Sequence, residues 1–205
     1  MSDTELTNYV KEYLTKVVDL LKEKNKRYGN SILSPIQIFR TDPGLNGVYV
    51  RLNDKFARLI NQTAGEDEDV VLDIIGYLAF TAYLLRCEED ESSVSEEGAF
   101  SFFENYLIEI ADSTYAVGLM HTIRKKIDVF TFVDIIPRLK DCSNDLCELL
   151  SIDAFINYLL RSVYYWEFTD TRVDVKISNV VDLIVALICR EYLINERSLK
   201  IGDTL

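Results

Sequence analysis

The chain has 205 residues, of which 48% are hydrophobic, and it contains three prolines and eight glycines. This length is enough to bury a substantial core, and the scarcity of proline and glycine favours helices over a loop-rich fold. The formal charge of −12 argues against binding of duplex DNA through a broad basic face. It leaves room for a small basic pocket that binds a nucleotide.

The predicted elements are helical nearly throughout. A first amphipathic helix is predicted over residues 4–26, where apolar residues recur with a period of 3.6, and Gly29 is its expected stop. Residues 31–47 hold two of the three prolines and predict an ordered loop with a short helical turn. A second helix is predicted over 48–62. Its apolar face carries Leu52, Phe56, Leu59 and Ile60, and its opposite face carries Arg51, Asp54, Lys55 and Arg58.

A third, almost entirely apolar helix is predicted to end near residue 87, and the acidic, Ser-rich segment 88–98 then predicts a linker. Further helices are predicted over residues 100–111, 114–127, 130–139, 151–168 and 180–193, while residues 173–177 could form a short strand. The expected fold class is an all-α helical bundle. We expect a helical core over 1–87, the linker over 88–98, and a helical C-terminal region over 99–205 that packs on the core.

Asp73 is the only charged residue in the apolar run from Val70 to Leu85, and the acidic segment 66–69 precedes this run. A buried carboxylate is costly unless a cation, a metal ion or hydrogen-bond donors meet it. Asp69 and Asp73 are four residues apart and share one helix face, where they could hold a hard cation such as Mg²⁺. The alternative is an acidic helix start that complements the helix dipole, together with one salt-bridged aspartate.

Two groups of cations precede this apolar helix. Lys24, Lys26 and Arg27 lie at the end of the first helix, and Arg51, Lys55 and Arg58 project from the second. If they converge, arginine supplies a bidentate fork and lysine a point charge for phosphates. Facing the acidic helix, they would form a metal-and-phosphate site without a P-loop. The alternative is a set of surface pairs at i,i+4 spacing, such as Asp54 with Arg58.

Other chemistries have less support from the sequence. The four cysteines have no CxxC spacing and His121 is the only histidine, which disfavours a zinc site and a histidine-dependent triad. Free thiols fit a reducing cytoplasm. We expect no secretory signal, because no N-terminal apolar segment is present, and no membrane span, because Asp73 interrupts the longest apolar run.

Three segments in order carry a family resemblance. They are Lys24-Asn-Lys-Arg-Tyr-Gly-Asn30, the run from Val50 to Asn61, and the run from Glu68 to Tyr77. Together they resemble the first nucleotide modification associated domain family, which is common in phages and typically shows KNxxYG, RxxDKxxRL and EDxxLDLxNY. The match covers roughly residues 10–86. This family is similar to MazG-type nucleoside triphosphate pyrophosphohydrolases, all-α proteins whose acidic helices bind Mg²⁺.

The resemblance implies Mg²⁺-dependent hydrolysis of a (deoxy)nucleoside phosphoanhydride in the cytoplasm, which is the host cytoplasm if a phage encodes the chain. The alternative is a non-catalytic module that binds a nucleotide or a protein partner in phage–host conflict. In MazG-like proteins the helices need a second copy of themselves to complete the bundle. In this chain, the resemblance implies that either the C-terminal half or the second subunit of a homodimer supplies that copy. The implied catalytic residues and metal ligands are Glu68, Asp69 and Asp73, with Asp54 as a further ligand. The implied substrate-binding residues are Lys26, Arg27, Tyr28, Arg51, Lys55, Arg58 and Asn61.

Overall fold

The computed structural model describes residues 3–33, 44–61, 69–108, 117–119 and 171–196, with a few positions between 152 and 162. Of these residues 88% are helical and none lies in a strand, so the predicted all-α fold class is confirmed. The predicted helix over 130–139 lies outside the described residues, as do most of the helices predicted over 114–127 and 151–168; residues 117–119 are described and helical. The helices are α1 (Asp3–Tyr28), α2 (Leu45–Asn61), α3 (Val70–Glu89), α4 (Glu96–Phe102) and α5 (Val173–Glu196), and a π-helical segment, Phe103–Leu107, continues α4.

Helix α1 ends where the sequence predicts. Its buried residues follow the 3.6 period, and the chain leaves the helix after Tyr28 at Gly29, which has a φ of +62°. This left-handed conformation costs an L-residue a clash of its Cβ but costs glycine nothing, which is why glycine ends many helices. The N–H of Ser31 donates to the Gly29 carbonyl at 2.8 Å and closes the turn. The buried residues of α1 are Leu6, Val10, Tyr13, Leu14, Val17, Val18 and Leu21.

Helix α3 is the central helix of the described fold. Fourteen of its twenty residues are buried, because α1, α2 and α5 all pack against it. By length and composition it is the one helix in the described part of the chain that could cross a membrane, and 78% of its most apolar window is buried inside the protein. Burial of this kind is found in the core helices of soluble proteins.

Gly76 lets α1 approach α3 closely. A Cβ added at this position would lie 2.9 Å from Cδ2 of Leu21, which is closer than carbon atoms pack. The absent side chain therefore leaves room for the Leu21 side chain against α3. The C-terminal half of α1 is also joined to the segment after α3, because Lys22 pairs with Glu104 and Asn25 donates to Glu96.

The connection between α3 and α4 is shorter than the predicted linker, since only residues 90–95 are non-helical. The Tyr83 hydroxyl donates to the Ser95 carbonyl and accepts from the Ser95 N–H, each at 3.0 Å. Ser95 in turn caps α4, because its Oγ accepts from the N–H of Gly98 at 3.0 Å. These three hydrogen bonds fix the connection to the side of α3.

The short strand predicted over residues 173–177 is wrong, because this segment is the first part of α5. The alternation of valine, aspartate, lysine and isoleucine resembles a strand locally. Ile177, Val180, Val181 and Ile184 are all buried, however, and their spacing of three and four residues is that of a helix face. Packing of this face against α3 decides the outcome over the local alternation.

Replacing Gly29 with alanine should lower the stability of the fold by about 1 kcal/mol, since alanine is strained at this φ. Asparagine tolerates the left-handed region better, so Gly29→Asn is the matched control and should lose less. Chemical denaturation of both variants measures the difference. Equal stability of wild type and Gly29→Ala would contradict the assignment of this turn.

Candidate functional site

Helices α1, α2 and α3 enclose an open cleft of about 490 Å³. Its described lining has three cationic side chains, one carboxylate, and several apolar or aromatic side chains. Clefts that bind small molecules have this size and this mixture of an apolar wall with a few polar groups. The lining residues are Leu21, Lys24, Asn25, Tyr28, Gly29, Ser31, Ile32, Arg51, Lys55, Asp73, Tyr77 and Phe80.

Asp73 connects the three helices in this cleft. Its Oδ1 accepts from the ammonium group of Lys24 on α1, and its Oδ2 lies 2.9 Å from Nζ of Lys55 on α2. The side chains of Asp73 and Lys55 are only 10% and 12% exposed, whereas that of Lys24 is 41% exposed. One carboxylate thus meets two ammonium groups, one deep in the cleft and one near its mouth. This arrangement corresponds to the salt-bridged alternative of the sequence analysis.

The two lysines also set the pKa of Asp73. Burial by itself raises this pKa, because it disfavours the charged form. The hydrogen bonds and charges of Lys24 and Lys55 outweigh burial, so the pKa lies below the ordinary aspartate value of 3.8. Asp73 therefore remains ionised at neutral pH despite its burial.

Helical periodicity explains why these two lysines point inward. Lys24 lies seven residues after the buried Val17, and Lys55 lies seven residues after the buried Val48, so each shares a face with a core residue. We predicted Lys55 on the helix face opposite Leu52, Phe56 and Leu59; its side chain is instead only 12% exposed and lines the cleft. The long lysine stem is largely covered while its ammonium group reaches the carboxylate of Asp73.

Arg51 is the third cation of the cleft. It lies on α2 one turn before Lys55, and its side chain is exposed at the cleft wall. Within the described part of the chain it has no hydrogen bond or ion pair. Its guanidinium therefore presents donors to the cleft.

Four predicted substrate-binding residues are not among the residues that line the cleft. Lys26 and Arg27 are exposed on α1, and Arg27 pairs with Glu23 at 3.2 Å. Arg58 pairs with Asp54 at 3.2 Å, which is the surface pair considered as the alternative. Asn61 is the last residue of α2, and its side chain lies outside the described part of the structure.

The carboxylates proposed as metal ligands do not converge in the described residues. Asp69 caps α3, because its Oδ1 accepts from the N–H of Leu72 at 2.9 Å. Asp54 pairs with Arg58, both oxygens of Asp73 meet lysines, and Glu68 lies outside the described residues. No group of three or more acidic, histidine or cysteine side chains suited to a metal ion occurs in the part of the chain that the structure describes. The described side chains therefore do not fit a Mg²⁺ site in this arrangement, and Mg²⁺ stays a prediction.

The cleft also has an apolar wall that the sequence indicates only in part. Tyr77 and Phe80 lie on the Asp73 face of α3, as the helical spacing predicts. Tyr28 was assigned to substrate binding and does line the cleft. Asn25 and Ile32 also line the cleft but were not predicted as substrate-binding residues. Asn25 lies in the segment Lys24–Asn30 that carries the family resemblance, which is the signal that pointed to it.

Comparison with known proteins gave no match: no family model, no curated protein and no solved structure matches the chain. The resemblance to the nucleotide modification associated domain family thus rests on the three sequence segments alone.

Replacing Asp73 with asparagine should destabilise the fold by about 3 kcal/mol, because it removes the charge that compensates the buried Lys55. Lys24 can turn to solvent, so the loss lies at the lower end of the range for a broken buried ion pair. Thermal melts of wild type and Asp73→Asn, each with and without Mg²⁺, measure this loss of stability. If Asp73 is a metal ligand instead, the variant is as stable as wild type without metal and Mg²⁺ stabilises wild type alone.

The same ion pair predicts a pH dependence. Since the folded pKa of Asp73 is below its unfolded value of 3.8, its contribution is fully present above pH 3.8. This contribution is lost as the pH falls through the folded pKa. The stability difference between wild type and Asp73→Asn should therefore shrink on acidification from pH 7 to pH 3. A difference that stays constant over this range would contradict the ion-pair assignment.

Proposed function

We propose that this chain binds a nucleotide or a nucleotide-derived small molecule, with the phosphate in the cleft between α1, α2 and α3. One observation carries the proposal: Lys24, Lys55 and Arg51 line one cleft with a single described carboxylate, Asp73. The described lining has a formal charge of +2 from these three cations and one anion, although the whole chain carries −12. A local positive field in an acidic protein favours a small anionic ligand over a polyanionic surface such as duplex DNA.

The three cations differ in what they offer a phosphate. Arg51 is exposed and can form the bidentate hydrogen bonds that guanidinium makes with phosphate oxygens. Lys24 has three N–H donors, and the ion pair with Asp73 uses only part of this capacity. Lys55 is largely buried and lines the cleft, so it adds its positive charge without being exposed to solvent. Because Asp73 already holds the two lysines in place, little side-chain entropy is lost when a ligand binds.

A second candidate is Mg²⁺-dependent hydrolysis of a nucleoside phosphoanhydride, which the family resemblance implies. Asp73 lies in the cleft beside the cations, as a hydrolase would require. It is the only carboxylate in the described lining, so further acids would have to come from outside the described residues, for example Glu68. A module that binds a protein partner without catalysis is the remaining alternative.

Replacing Arg51 with alanine should weaken nucleotide binding roughly 10- to 100-fold, the cost of losing a charged hydrogen bond of about 1.5–3 kcal/mol. Its stability should stay close to that of wild type because the side chain is exposed. Isothermal titration calorimetry with mono-, di- and triphosphates in EDTA measures the affinities. Arg172→Ala is the matched control, since Arg172 is an exposed arginine outside the cleft, immediately before α5, that pairs with Asp174.

Equal binding by wild type and Arg51→Ala would overturn the proposed phosphate site. Phosphate and pyrophosphate release, measured with the same nucleotides after Mg²⁺ is added, separates the two candidates. Binding without turnover supports the binding module. Turnover that depends on Mg²⁺ and is lost in a Glu68→Gln variant supports the hydrolase.

A further inference from the structure

Tyr28 is a large aromatic residue in an unusual position. It is the last residue of α1, it lines the cleft, and its side chain is 68% exposed. Among the described residues its ring packs against no other aromatic ring and its hydroxyl has no hydrogen-bond partner. Core packing therefore does not explain the ring, whereas a ligand in the cleft would cover it.

The position of Tyr28 relative to Lys24 sets a distance. The two residues are four apart in α1, so they lie on the same helix face one turn apart, about 6 Å along the axis. A phosphate at Lys24 and a flat base at Tyr28 would be separated by roughly the length of one ribose. Tyr28 stays one helical turn beyond Lys24, because the chain leaves the helix at Gly29, immediately after Tyr28.

The rest of the cleft lining also combines apolar side chains with cationic ones. Ile32, four residues after Tyr28, lines the cleft as well, while Arg51 and Lys55 supply charge with Lys24. A ligand with one anionic end and one flat apolar end would match both parts. Free phosphate or a sugar phosphate would leave the ring of Tyr28 in water.

We infer that the ligand is a nucleoside monophosphate and that Tyr28 stacks on its base, which selects a nucleotide over a sugar phosphate without a base. This inference rests on the proposed phosphate site. A phosphate monoester carries a charge near −2, which balances the +2 of the described lining without a metal ion. Stacking on a tyrosine ring tolerates different bases, since every base offers a π-face.

The experiment compares ligands with and without a base. Affinities for ribose 5-phosphate, adenosine monophosphate, cytidine monophosphate and adenosine triphosphate are measured in EDTA by calorimetry, for wild type, Tyr28→Ala and Tyr28→Phe. Tyr158→Ala is the matched control, because Tyr158 is another exposed tyrosine that is not among the cleft residues. Circular dichroism melts confirm that each variant is folded. We expect all of them to fold, because Tyr28 and Tyr158 are exposed.

We expect Tyr28→Ala to bind both monophosphates roughly 5- to 100-fold more weakly, the cost of losing one stacked base. Its affinity for ribose 5-phosphate should not change, and Tyr28→Phe and Tyr158→Ala should behave like wild type. In wild type the monophosphates should bind more tightly than ribose 5-phosphate and at least as tightly as the triphosphate.

Three results would overturn the inference. They are an equal loss for ribose 5-phosphate and the monophosphates in Tyr28→Ala, a Tyr28→Phe variant as weak as Tyr28→Ala, and clear preference for the triphosphate. If ribose 5-phosphate still binds in a manner that requires Arg51, the phosphate site stands and only the role of Tyr28 fails. If none of the four probes binds, the proposed function fails together with the inference.

Discussion

The ion pairs of Asp73 are the interaction on which the described structure depends. Helix α3 is buried on nearly all sides, so its single internal carboxylate must find compensating charge within the protein. It finds one ammonium group on α1 and another on α2. These contacts fix how the two helices lie against α3, and they place cations in the space between them. The partners of one buried carboxylate are thus two of the three described cations of the cleft.

The same arrangement prepares the cleft for an anion. Two ammonium groups on one carboxylate leave an excess of positive charge, and Arg51 adds to it from the exposed wall. Side chains already held by an ion pair lose less freedom when a phosphate arrives than mobile surface lysines would. Leu21, whose side chain packs at Gly76 of α3, lies on α1 one turn before Lys24 and also lines the cleft.

Much of the fold follows from local sequence rules. The 3.6 period predicts α1, α2 and α3 to within a few residues, and Gly29 marks the end of α1. The N-terminal part of α5 was missed, because its alternating residues look like a strand until packing on α3 is known. The cleft could be predicted only in part. Lys55 was predicted on the face opposite the apolar one, although it lies seven residues after the buried Val48, and which cations meet Asp73 depends on how three separate helices pack.

The central claim is that Asp73 is a carboxylate held by two lysines, and its own titration tests this most directly. NMR detection of the Asp73 side-chain carboxyl carbon gives its pKa in the folded protein, with Asp73→Asn to assign the resonance. The structure predicts a midpoint below 3.8 that millimolar Mg²⁺ does not change and that Lys55→Met raises. A midpoint at or above 3.8, or one that Mg²⁺ lowers markedly, would contradict the account.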